Sequence, residues 1–189
     1  MENNFEKELS YIKNEFIREQ CRKMITYVAP EFFKAAASST GKYHPSYALG
    51  EGGLYRHTCA AVGIAKDLLN LECFSNKFDE NKRDYIIAAI ILHDSCKSGM
   101  CWDGKYPRHD HPIQAAELIK LNLEEKENEE FVTVVCRLVS SHMGQWNTCR
   151  WDRAVLPKPV EEDEIFVHMC DYLASRKYLE YQFEEKNDV

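Results

Sequence analysis

The chain has 189 residues and carries 24 basic against 31 acidic side chains, a formal net charge of −7. That balance offers no broad basic face of the kind that holds duplex DNA through its phosphates. The longest uninterrupted apolar run, Ile86 to Leu92, falls far short of the ~20 residues that span a bilayer, so no membrane partner is expected.

Apolar residues recur mostly at helical spacing, and strand-like alternation bounded by hairpin turns is absent, which predicts an all-α fold. The first helix is expected over residues 4–27. The following segment, "APEFFKAAASSTGKYHPSYALGEGG", holds Pro30, Pro45 and several glycines and predicts a long irregular connection able to line a site. Further helices are expected over 53–71, 81–94, 111–121, 129–141 and 161–184. The stretches 95–110 and 143–160 are predicted loops, the second too long for a mere connector.

Eight cysteines stand at 21, 59, 73, 96, 101, 136, 149 and 170, and no two are spaced as a CxxC motif. With a charged start, "MENNFEKELSYIKNEF", in place of a secretory signal, free thiols in the cytoplasm are expected. Neither repeat nor inter-domain linker interrupts the chain. One domain over 1–189 is predicted, with a helical lead-in over 1–40 and a core over 41–185.

Five predicted helices carry His or Asp, nearly always at their ends: His57, His93 with Asp94, His111, His142 and Asp171. An isolated histidine is ordinarily a hydrogen-bonded structural residue. A set distributed over helix ends can converge on one cavity, and imidazole with carboxylate suits zinc, iron, manganese or cobalt. Lys97 follows Asp94 by about one helical turn. Arg56 adjoins His57, and Arg176 follows Asp171 by five residues, both with guanidinium forks that fit phosphate. Lys105, Arg108 and His109 cluster in "DGKYPRHDH" before His111. Trp146, near Arg150 and Trp151, offers a face for a nucleobase or a lid on the helical core. His168 shares a helix face with Asp171 and is a candidate for orienting a ligand.

The order His57, His93-Asp94, Asp171 resembles the H…HD…D signature of the HD-domain superfamily, a compact helical bundle with its metal site among helix ends. His111 and His142 resemble the additions of its two-metal branch. The pieces "GGLYRHTCAAVGIAKDL", "AAIILHDSCK" and "SSHMGQW…PKPVEEDEIFVHMCDYLASR" are most similar to the HD domain of YhaM-type 3'-to-5' exoribonucleases. This resemblance implies two divalent cations (Mn, Fe, Co, Mg, Ni or Zn). The first would be held by His57, His93, Asp94 and Asp171, and the second by His111 and His142, with Asp94 bridging. It implies a metal-activated hydroxide attacking phosphorus while Lys97 steadies the charge, with Asp94 and Lys97 as catalytic residues. Substrate contacts would come from Arg56, Lys97, Arg108, His109, Trp146 and Arg176.

The departures from that family bear on substrate size. Cys96 replaces a glycine two residues after the HD pair, Met143 replaces the second histidine of "SHHG", and only a short lead-in stands where those enzymes carry an oligonucleotide-binding domain. The expected substrate is therefore a nucleotide, a dinucleotide or a short oligonucleotide. An HD-type diiron oxygenase, whose branch uses a tyrosine and a glutamate like Tyr47 and Glu51 upstream of the first histidine, and a non-catalytic nucleotide-binding module are the alternatives. The sequence leaves the oligomeric state, the general acid and the physiological metal open.

Overall fold

The computed structural model describes residues 5–102, 106–123 and 128–179. Its described residues form eight α-helices and one two-stranded sheet. These are α1 (Glu6–Leu9), α2 (Glu15–Ile25), α3 (Gly53–Leu69), α4 (Glu72–Ser75), α5 (Glu80–Leu92), α6 (His111–Asn122), α7 (Glu129–Ser141), β1 (Thr148–Cys149), β2 (Asp152–Val155) and α8 (Glu162–Ala174). No described helix is long and apolar enough to cross a membrane.

Helix α5 is the axis of the bundle. It packs against α1, α2, α3, α7 and α8, and Asp84 through Leu92 are all buried. A helix apolar on every side belongs inside a core. Burying each of Ile86, Ile87, Ile90 and Ile91 contributes about 1.5–3 kcal/mol. The Asp79 carboxylate starts the helix by accepting the Lys82 N–H at 2.8 Å, which supplies one of the orphan donors of the first turn with a partner. Around this post, α6 packs on α7 and α3 on α8.

Residues 4–27 do not make the single helix expected. The Asp84 carboxylate on α5 accepts the backbone N–H groups of Lys13 at 3.1 Å and Asn14 at 2.6 Å, and the Asn14 side chain accepts the Ile17 N–H. Those donors are thus claimed from outside and a new helix starts at Glu15. The stretch 143–160 also departs from a plain loop. A 3-10 turn over Gly144–Trp146 leads into an antiparallel hairpin, with Thr148 opposite Val155 and Cys149 opposite Asp152. Two and four residues are too few to show alternation.

Helix α8 ends ten residues before the predicted boundary of 184. The Ser175 hydroxyl donates to the Tyr172 carbonyl and accepts from Arg176, and a 3-10 turn over Lys177–Leu179 follows. The Lys177 N–H then bonds the Tyr43 carbonyl at 2.8 Å, tying this end to the connection between α2 and α3. Residues 180–184 lie outside the described residues.

Candidate metal centre

Five helices deliver the six candidate ligands to one place. Helix α3 can bring His57 in because Gly53 lets the backbone pass closely: a Cβ there would lie 2.2 Å from the Ala48 carbonyl oxygen. His93 and Asp94 follow Leu92 at the end of α5. Since the helix stops there, both side chains reach around its free end, which successive residues in mid-helix, about 100° apart, would not do. His111 is the first residue of α6, His142 directly follows α7, and Asp171 is in the last turn of α8.

The Asp94 carboxylate stands at the middle. Its Oδ1 lies 2.9 Å from His111 Nε2 and 3.6 Å from His142 Nε2, and its Oδ2 lies 3.3 Å from His93 Nε2. Lys97 Nζ donates to both oxygens, at 2.9 and 2.8 Å. Asp171 Oδ1 faces His57 Nε2 at 2.9 Å and His93 Nε2 at 3.5 Å. His57, His93, Asp94, His111 and His142 are all buried, and Asp171 is 21% exposed on the cavity side.

Backbone carbonyls set the imidazole tautomers. Nδ1 of His93 donates to Ile90, Nδ1 of His142 to Val139 and Nδ1 of His111 to Arg108, at 2.7, 2.7 and 2.6 Å. This second layer directs each Nε2 inward, as metal-ligating histidines require. The charges divide accordingly. Burial, with His93 and His111 nearby, pushes His142 down to about 3, and burial with Lys97 lowers His111. Both are therefore neutral, with lone pairs on Nε2. Burial opposes charge on His93, yet Asp94 and Asp171 outweigh it and raise its pKa to about 10. Both carboxyls are held well below the usual carboxylate range: burial works against this, but Lys97 and His93 outweigh it at Asp94, and the hydrogen bond from His57 with the charge of His93 does so at Asp171.

This donor set fits divalent cations. Asp94 Oδ1, His111 Nε2 and His142 Nε2 are three acceptors gathered with no proton between them, and His93 Nε2 is buried without a hydrogen bond. Three groupings have ligand atoms within 4.8 Å of one another: His57, His93 and Asp94; His93, His142 and Asp171; and Asp94, His111 and His142. Asp94 joins the first to the third.

A cavity of about 400 Å³ opens onto this cluster, lined by Tyr43, His44, His57, Lys97, Met143, Trp146, Asp171, Tyr172, Ser175 and Arg176. Lys97, Trp146 and Arg176 thus face it, as the sequence suggested. Arg56 does not. Its Nε and one Nη donate to the Tyr47 and Leu49 carbonyls at 2.6 and 2.9 Å, so the guanidinium clamps the loop before α3. Nor is Arg108 on the wall; it pairs with Asp110 through two bonds and serves His111 through its carbonyl. His109 is half-buried, also off the wall, and Lys105 lies outside the described residues. His168 donates Nδ1 to the His142 carbonyl at 2.7 Å, supporting the backbone of that residue. Tyr47 bonds the Ala174 carbonyl.

Five wall residues, Tyr43, His44, Met143, Tyr172 and Ser175, were not among the candidate contacts. Tyr172 directly follows Asp171 and Ser175 lies one turn further, so projecting α8 from Asp171 would have found them. Tyr43 arrives through the irregular connection and has no signature.

The HD domain family matches residues 54–176. No curated protein and no solved structure matches the chain. The matched segment holds all six inward-facing side chains and their five helices, and the chain belongs to the HD domain family, whose members are metal-dependent phosphohydrolases as a superfamily.

Proposed function

We propose that the protein is a metal-dependent phosphohydrolase or phosphodiesterase acting on a nucleotide or a short oligonucleotide. The observation that carries this reading is the division of Asp94: one oxygen belongs with His111 and His142, the other with His93. His57, His93, Asp94 and Asp171 would hold one cation, and Asp94, His111 and His142 a second. Bound there, divalent ions supply Lewis acidity toward a phosphoryl oxygen and lower the pKa of water.

The chain's own residues prepare the site. The carbonyls of Ile90, Val139 and Arg108 keep the three imidazoles turned inward. Lys97 stands between cluster and cavity, where its ammonium meets a phosphoryl oxygen as a compact point charge. A cavity of about 400 Å³ is at the low end of small-molecule sites and favours a nucleotide over a longer strand. The further likeness to YhaM-type exoribonucleases supports a phosphodiester or phosphomonoester of that size. Eight free thiols accord with a reducing, cytoplasmic setting.

The test is product release by metal-reconstituted protein: orthophosphate from nucleoside mono-, di- and triphosphates, and nucleotides from cyclic dinucleotides and short RNA. Release is expected with at least one of Mn, Fe, Co, Mg, Ni or Zn. Asp94→Asn is expected to reduce it more than ~10³-fold and Lys97→Met about 10²- to 10³-fold, with the thermal melt confirming folded protein. No release on any substrate, or full activity in Asp94→Asn, would overturn the reading.

A further inference from the structure

One wall of the cavity is a ladder of flat groups. Arg176 places its guanidinium 4.5 Å from the Tyr172 ring centroid and 5.3 Å from that of Tyr43. Beyond Tyr172 lies Trp146, its ring centroid 5.6 Å away and its plane only 17° from parallel. His168 abuts Trp146 at 6.0 Å in an edge-on arrangement. The order along the wall is therefore Tyr43, Arg176, Tyr172, Trp146.

Three observations separate this ladder from the core. First, Trp146 is 43% exposed although it is already stacked, whereas the core rings Phe5, Phe32, Phe131 and Phe166 are 0–1% exposed. Stacking without closure leaves a large aromatic surface open in a concave site. Second, Arg176 spends Nε and Nη2 on the Ser175 hydroxyl, at 3.1 and 2.8 Å, and pairs with no carboxylate among the described residues. Among the described residues its charge is met by two ring faces rather than by an anion, which leaves it able to meet a ligand's negative charge or acceptor atoms. Third, the same cavity is also lined by His57, Asp171 and Lys97 of the candidate metal cluster.

Building on the phosphohydrolase reading, we propose that Trp146, backed by Tyr172, forms a nucleobase subsite, so that the substrate is a phosphate ester bearing a planar aromatic heterocycle. The phosphate lies at the Lys97 end and the base against Trp146. Arg176, held upright between Tyr172 and Tyr43 and fixed by Ser175, is a positioning residue for the ring pair and keeps Nη1 available to the ligand. Base stacking on an aromatic side chain tolerates any base, because every base has a π-face. The subsite therefore selects for the presence of a base rather than its identity.

The experiment compares nucleoside 5'-monophosphates with ribose 5-phosphate, which keeps the sugar and phosphate and lacks the base. Binding to metal-loaded protein is measured by calorimetry, and turnover alongside it, for wild type, Trp146→Leu and Trp146→Phe. Wild type is expected to bind the nucleotides roughly 5- to 100-fold more tightly than ribose 5-phosphate. Trp146→Leu is expected to erase most of that preference while leaving ribose 5-phosphate affinity, metal content and melting temperature unchanged, and Trp146→Phe to restore it. Equal affinity for both compounds in wild type, or an equal loss for both in Trp146→Leu, would overturn the subsite. Failure of the phosphohydrolase reading looks different: the preference for nucleotides persists while none is hydrolysed.

Discussion

His111 Nε2 and His142 Nε2 stand 3.2 Å apart, and each ring has already committed its Nδ1 proton to a backbone carbonyl. Two lone pairs therefore face each other beside Asp94 Oδ1, an arrangement that a proton or a cation must relieve. Burial lowers the pKa of both rings, so a cation is the better relief near neutral pH. His93 in turn carries the positive charge between Asp94 and Asp171, and a metal would displace its proton.

Divalent metal should accordingly stabilise the fold. A ligand that binds only the folded chain stabilises it by about 2.7 kcal/mol at 100 times its Kd. Thermal melts are expected to rise with Mn or Zn concentration and fall on chelation, with protons released as metal binds. In His111→Ala the rise should shrink. A melting temperature indifferent to metal and chelator alike would contradict the assignment.

Helices α7 and α8, which carry His142 and Asp171, are joined by Arg137 and Asp163 through two bonds of 2.9 and 2.6 Å. Asp163 is buried, whereas Arg137 is 36% exposed. Burial by itself would raise the Asp163 pKa, but the hydrogen bonds and charge of Arg137 outweigh it, and the pKa is lowered. Because the folded value lies below the unfolded one, near 3.9, this stabilisation is complete above about pH 4 and lost as pH falls through the folded value. Asp163→Asn should cost about 2–3 kcal/mol at pH 7, less than the 3–5 of a fully buried pair, and the deficit should narrow below pH 4. Urea unfolding at pH 7 and pH 3 measures it; a deficit independent of pH would refute the pairing as its cause.

The convergence of these six side chains was legible in sequence because they sit where helices end, and helix ends are marked by local patterns. His93-Asp94 closes a run of apolar residues, and His142 closes a helix whose boundaries were predicted at 129 and 141 and are Glu129 and Ser141. The break after α1 was not legible, because it depends on Asp84, seventy positions away in the chain. Arg56 illustrates the same limit from the other side. Its adjacency to His57 suggested phosphate, but a helical neighbour points about 100° away, and the carbonyls of Tyr47 and Leu49 were there to take it. The aromatic wall brings together Tyr43 and Tyr172, which are 129 positions apart in the chain, and no spacing rule reaches that far.

Gly144 and His168 provide the most local test of how the site is supported. Gly144 has φ +59, a left-handed conformation that disfavours any side chain, and an added Cβ would fall 2.2 Å from His168 Cε1. That ring donates Nδ1 to the His142 carbonyl at 2.7 Å. Gly144→Ala therefore forces two changes at once, backbone strain of about 1 kcal/mol and displacement of His168 from the carbonyl it holds. Together these should cost about 2–3 kcal/mol and weaken metal binding at His142. In a His168→Ala background the clash is gone, so Gly144→Ala should then cost only the strain. The two substitutions are thus expected to be non-additive, the double variant being about 1–2 kcal/mol more stable than the sum of singles implies. Simple additivity in urea unfolding would show that His168 moves freely and that Gly144 serves the turn alone.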